Sequence, residues 1–182
     1  MTSHTTTDAP GNLLDVLTSD GPHPSLGEGA IAFGQFVGYW DMDVRFYDQG
    51  GGISYQQPGS WSFAWVLDGR AVQDILIYPE LHGEPSFEPG RRRVGTTLRH
   101  YDPEADRWRV AWLGATSGIL VFLTGGRDGS TLVLDGREDT GDLLRWTFTD
   151  ITPMSFLWTG WISHDDGATW RIEQQMNARR RA

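Results

Sequence analysis

Three polar residues interrupt apolar alternations where acid–base chemistry would be useful: Asp74 between Val72 and Leu76, His100 two residues after Leu98, and Gln174 between Ile172 and Met176. Buried without partners, an ionised carboxylate would cost several kcal/mol and an amide about 1–3 kcal/mol, so each needs a neighbour. A carboxylate beside an imidazole raises the imidazole pKa and fixes its tautomer. That is the arrangement of a general acid–base pair. Asp74 and His100 are therefore the candidate catalytic pair, with Gln174 a third catalytic candidate. The structural alternatives are a hydrogen bond that only ties one wall to the next, or a His100 at the strand end facing water. In a strand, a one-residue slip exchanges every face. It would bring Arg99, Tyr101, Arg145 and Glu173 inside instead, a charged network suited to an anionic ligand such as a carboxylate.

Other chemistries are excluded or find no support. The chain has no cysteine, which removes disulfides, thiolate nucleophiles and Cys-type metal sites. All 15 basic residues are arginine, so Schiff-base chemistry through lysine is impossible. The formal charge of −9 argues against nucleic acid and anionic lipid as partners. The runs Arg91–Arg93 and Arg179–Arg181 are local, and the second reads as a solvated tail. The five histidines lack ligand spacing, so no metal site is expected. The glycines at 50–52 and 124–129 have no following Lys and helix, and no Gly-x-Ser-x-Gly occurs, so neither a phosphate loop nor a nucleophile elbow is expected. Ser163-x-Asp165-x-Gly167-x-x-Trp170 spells the Asp-box of sialidase-type propellers. One copy without a blade-length repeat cannot make a propeller, so the motif is expected to be a tight turn.

Those side chains must be positioned by strands. From residue 39 onward the apolar period is two: Trp40-Met42-Val44-Phe46, Trp61-Phe63-Trp65-Leu67, Trp108-Val110-Trp112, Trp146-Phe148 and Trp170-Ile172-Gln174-Met176. Turn pairs such as Asp68-Gly69, Asp128-Gly129 and Asp166-Gly167 separate the runs. Strands are predicted over 39–47, 60–68, 70–79, 93–102, 107–114, 118–125, 130–138, 143–151, 155–163 and 169–177. About ten short antiparallel strands joined by hairpins predict an all-β, up-and-down barrel, since closure removes exposed edges. Residues 1–25 are predicted to be a flexible N-terminal segment, with one or two helical turns over 12–19, and residues 26–182 to form a single β-barrel domain. A short helix within 26–38 would plug one end. The connections 48–59 and 80–92 are long and follow the first and third strands, so both fall at one end and would frame a mouth.

The segments FVGYW (36–40), WVLDGRAVQDIL (65–76), GTTLRHYDPEADRW (95–108), RWTFTDITPMSFLW (145–158) and DGATWRIEQQMNARR (166–180) resemble the bacterial lipocalin-like, calycin-type barrel proteins of unassigned function. The resemblance spans about four fifths of the chain. It implies an up-and-down barrel around a pocket for an apolar small molecule, used either as a carrier or as a cyclase or isomerase of a biosynthetic pathway. A haem-binding relative, the nitrobindin type, holds iron through a late histidine. Residues 169–177 have none, so no cofactor is expected.

The nine tryptophans then acquire a place. Trp65, Trp112, Trp146 and Trp158, in mid-strand, together with Phe63, are the candidate walls of a pocket. Trp40, Trp108 and Trp170, near strand ends, read as packing. The expected function is binding of a lipophilic or aromatic small molecule in an aromatic-lined cavity. The rival is a cofactor-free cyclase, isomerase or lyase working in the same cavity. With no leader pattern and no apolar run long enough to span a bilayer, a cytoplasmic protein is expected. Neither nucleic acid nor membrane is expected as a partner, and a homodimer is compatible with this reading.

Overall fold

The computed structural model describes residues 12–13, 17–79 and 93–181. A two-residue strand β1 (Thr18–Ser19) precedes a 3-10 helix (Pro24–Ala30) that runs into helix α1 (Ile31–Gly34). Ten longer strands follow: β2 (Gly38–Tyr47), β3 (Ile53–Val66), β4 (Ala71–Tyr78), β5 (Arg93–Asp102), β6 (Arg107–Gly114), β7 (Ile119–Asp128), β8 (Thr131–Arg137), β9 (Leu143–Thr149), β10 (Ser155–Ser163) and β11 (Arg171–Arg180). Each pairs antiparallel with its sequence neighbour, and β11 pairs with β2, which closes the sheet into a barrel. The up-and-down barrel expected from period two and hairpin turns is therefore present. β1 adds to β3 outside this ring, through Thr18 opposite Val66.

Most predicted strand limits hold within three residues. The main departure is β3, which begins at Ile53, so most of the connection expected over 48–59 is strand. Pro58 hid this. It pairs with Asp43 of β2, while pairing with β4 starts only at Ser60. A proline that lacks an N–H is tolerated where one side of the strand is unpaired. The connection 80–92 and residues 14–16 of the predicted helical turn over 12–19 lie outside the described residues; Thr18–Ser19, at the end of that stretch, are strand β1 instead of helix. The 179–181 run is no loose tail. The Arg180 guanidinium donates to the carbonyls of Val37 at 2.7 Å, Gln35 at 2.8 Å and Pro153 at 2.7 Å, and stands over the Trp40 ring.

The predicted plug exists and fills one end. Phe33 packs against Trp108 at 4.9 Å and Phe148 at 5.4 Å, and Phe36 against Phe156 at 4.7 Å. Both phenylalanines are almost fully buried. The Trp40 indole donates to the Phe36 carbonyl at 2.7 Å, fixing the chain where it enters β2. Burying rings of this size is the main apolar gain of the closed end. The barrel thus has a packed half next to α1 and a half not filled from that side.

Candidate functional site

The opposite half contains a cavity of about 300 Å³. Its wall is built by Trp61, Trp112, Trp146 and Trp158, with Leu76, Val121 and Met176 among the apolar fillers. These residues occupy inward positions of their strands, as Trp61 shows by pairing with Leu76, Trp112 with Val121 and Trp158 with Met176. Two strand glycines make the hollow. A β-carbon on Gly95 would lie 2.2 Å from the Trp112 ring, and one on Gly160 would lie 2.7 Å from the Trp158 ring. Each indole lies against the bare backbone of a strand, which thins the wall. The rings stand nearly perpendicular in sequence: Trp112 to Trp146 at 6.1 Å and 80°, and Trp146 to Trp158 at 5.5 Å and 70°.

The rim is polar. Arg93, Glu138, Glu173 and Gln174 line it, together with Ser117 at the β6–β7 turn and Tyr78 at the end of β4. Glu173 and Gln174 are consecutive yet both reach the cavity because β11 bulges there. Gln174 pairs with Gly160 and Ile172 with Trp161, leaving Glu173 as the extra residue. Burial pushes the Glu138 carboxyl above the usual carboxylate range, and repulsion from Glu173 and Asp142 adds to this. Burial likewise raises the Tyr78 phenol, against the opposing hydrogen bond with Gln174. Among the described residues, several donors of the wall have no protein partner: the indole N–H of Trp61 and of Trp158 and the Thr97 hydroxyl.

The strand ends that flank the two predicted mouth connections lie at this end. Phe46 at the end of β2 and Tyr78 and Arg93 at the ends of β4 and β5 all line it. Trp112, Trp146, Trp158 and Gln174 line the cavity as the sequence suggested. Phe63 and Trp65 face inward but belong to the packed half, Phe63 lying 5.8 Å from Phe36. Trp61, one alternation before Phe63, was the missed wall residue. Glu138 was missed too, although it continues the inward parity of Leu132, Leu134 and Gly136.

The Asp74–His100 pair does not form. His100 is exposed on the outer face, with Nδ1 3.2 Å from the Arg70 carbonyl. The inward residues of β5 are Gly95, Thr97, Arg99 and Tyr101. Asp74 pairs with Arg99 instead, and both side chains are fully buried. The second Asp74 carboxylate oxygen accepts the Thr97 backbone N–H at 3.0 Å. The Arg99 guanidinium lies over Phe33 at 5.2 Å and Phe63 at 5.4 Å, which places the pair against the plug. Tyr101 is also inside, at the closed end, 5.4 Å from Trp108 and donating to Asp106 at 2.7 Å. Arg145 is outside: it donates to Asp135 at 2.7 Å and stands over Trp170 at 4.9 Å. The alternative network of Arg99, Tyr101, Arg145 and Glu173 is therefore divided among the closed end, the outer wall and the rim.

The Asp-box is the β10–β11 turn. Asp165 accepts from the Ser163 hydroxyl at 2.8 Å, the Thr169 N–H at 2.8 Å and the Thr169 hydroxyl at 2.6 Å, which holds its carboxyl down at about 2. Asp166 and Gly167 take the positive φ that a tight turn requires.

No family model matches the chain, and no curated protein matches it. Among solved structures, a redesigned β-barrel is similar to it with a TM-score of 0.42 and 12% identity, covering 83% of this chain and 96% of that one.

Proposed function

We propose that the protein binds a small, largely apolar molecule with an aromatic body inside the barrel. The observation that carries this is the hollow of about 300 Å³ walled by Trp61, Trp112, Trp146 and Trp158. A barrel of this kind fills its interior with side chains unless it holds a ligand. Here one half is filled by α1 and the other is kept open by glycines set against indoles. Apolar pockets with a few convergent polar groups are the usual form of small-molecule sites. The likeness of the sequence segments to calycin-type barrels agrees with this reading. The enzyme reading is weakened, because its imidazole lies outside the cavity and its carboxylate is held by Arg99.

Titration with N-phenyl-1-naphthylamine, an uncharged probe that brightens in apolar surroundings, tests the proposal. Saturable binding to one site, with parallel quenching of tryptophan emission, is expected. A linear, unsaturable response identical to that of the unfolded chain would remove the proposal.

A further inference from the structure

Resting on the cavity reading, we infer that the ligand is a cation, with its aromatic body among the indoles and a protonated or quaternary nitrogen at the mouth between Glu138 and Glu173. On the outer wall Asp43 pairs with Arg45, Asp102 with Arg109, and Asp135 with Arg145. The turns at the mouth are tied by Arg137 to Asp166 and His164 to Asp142. Glu138 and Glu173 line the cavity, and among the described residues neither forms an ion pair. Glu173 is also the bulged residue of β11, and bulges serve to re-aim a side chain.

Glu138 is half-buried, and its ionised form is opposed by burial and by the neighbouring Glu173 and Asp142, only partly offset by a hydrogen bond with Thr140 and by His164. A cation at that point would compensate all three effects. Beyond the rim, the perpendicular indoles present ring faces on more than one side of the void. A negative ring face attracts an ammonium, and stacked or edge contacts suit an aromatic body. The same wall contains hydrogen-bonding groups without partners among the described residues, in side chains at least nine-tenths buried: Trp61 at 3% exposure, Trp158 at 6% and Thr97 at 0%. The indole N–H groups can only donate, so they call for an acceptor on the ligand body, away from its cation. Arg93 also lines the rim, but it is exposed and pairs with neither glutamate. Among the described residues of the rim, two carboxylates stand against one solvated guanidinium, which disfavours an anion.

Three probes of one shape and different charge separate the possibilities by calorimetry at pH 7: 1-naphthylmethylammonium, 1-naphthalenemethanol and 1-naphthoate. The ammonium is expected to bind about tenfold tighter than the alcohol, with naphthoate weakest, and added salt should narrow the gap. In the double variant Glu138→Gln with Glu173→Gln, the ammonium-to-alcohol ratio should fall to about one. Both side chains sit at the rim, and the thermal midpoint of the variant reports whether the fold is intact. If the alcohol binds as tightly as the ammonium, the charge inference fails while the cavity reading stands. Tightest binding by naphthoate overturns it in favour of Arg93. A preference unchanged in the double variant overturns the role of the glutamates. If none of the three binds, the cavity reading falls as well.

Discussion

At the scale of single residues, Asp74 shows how a carboxylate can be placed in a barrel interior without being available for catalysis. Its oxygens are taken by the Arg99 guanidinium and the Thr97 N–H, and both charged side chains are sealed from solvent. Such a pair adds little over well-packed apolar residues, but removing one partner strands a buried charge. Arg99→Met should therefore lower stability by about 3–5 kcal/mol in urea unfolding. Asp74→Leu combined with Arg99→Met should lose much less than the sum of the two single changes. Additive losses would mean that the charges are not coupled. Asp165 offers a test by pH. Its carboxyl is held at about 2, first by the Thr169 hydroxyl and then by the Thr169 N–H and the Ser163 hydroxyl. Because the folded value lies below the unfolded one, the contribution of this turn is complete above the ordinary carboxylate pKa. It disappears as pH falls through about 2. Carboxyl NMR should give an Asp165 midpoint near 2, and the Thr169 amide should stay protected at pH 4 and lose protection on further acidification. An Asp165 midpoint near the unperturbed carboxylate value would contradict the observed hydrogen bonds.

At the scale of elements, α1 and the glycine-bearing strands divide the barrel into a solid and a hollow part. Phe33 sits in the solid part, between Trp108 and Phe148, with Arg99 over its face. Phe33→Ala should cost about 3–5 kcal/mol by denaturation, the usual range for truncating a buried phenylalanine. Gly95→Val acts on the hollow part. The new side chain would collide with the Trp112 ring and turn it into the void. Probe binding should be lost while the far-ultraviolet circular dichroism of a barrel remains; unchanged affinity would show that Trp112 is not a wall of the site. The strands themselves were legible in the sequence, because alternating apolar residues and Asp-Gly turns leave little choice of element. The face of β5 was not. Its inward residues are Gly95, Thr97, Arg99 and Tyr101, which read as a polar face, while Leu98 points out. Outside, Leu98 neighbours Ala111 and then Phe122 across β6 and β7, and Leu113 neighbours Leu120. Both faces of this region are apolar in part, so hydrophobicity alone cannot choose the register. The deciding fact was the need of Asp74 for a buried cation, which Arg99 supplies.

At the scale of the whole molecule, closure and plugging make the two ends unequal. The closed end combines the aromatic plug, the Arg180 hydrogen bonds and the buried ion pair, so its amides should exchange with solvent only on global opening. The mouth end lacks such a filling. Its indoles border empty space, and contacts that a void denies are stability forgone. A molecule that enters the cavity restores them and binds the folded chain alone, so it must stabilise the fold by mass action. At a free concentration of one hundred times Kd the gain is about 2.7 kcal/mol. For a chain of this size each kcal/mol moves the midpoint by about 2–4 °C, so the expected rise is about 5–11 °C. Hydrogen exchange followed by mass spectrometry should place the added protection in the cavity-lining stretches of β4, β6, β9 and β10, around Leu76, Trp112, Trp146 and Trp158. The Phe33–Trp108 region, already closed, should gain protection only from the global shift. Protection appearing first at the plug, or a thermal shift equal in a Gly95→Val protein, would mean that the probe binds elsewhere. The division into a solid foot and an open head would then have no bearing on binding.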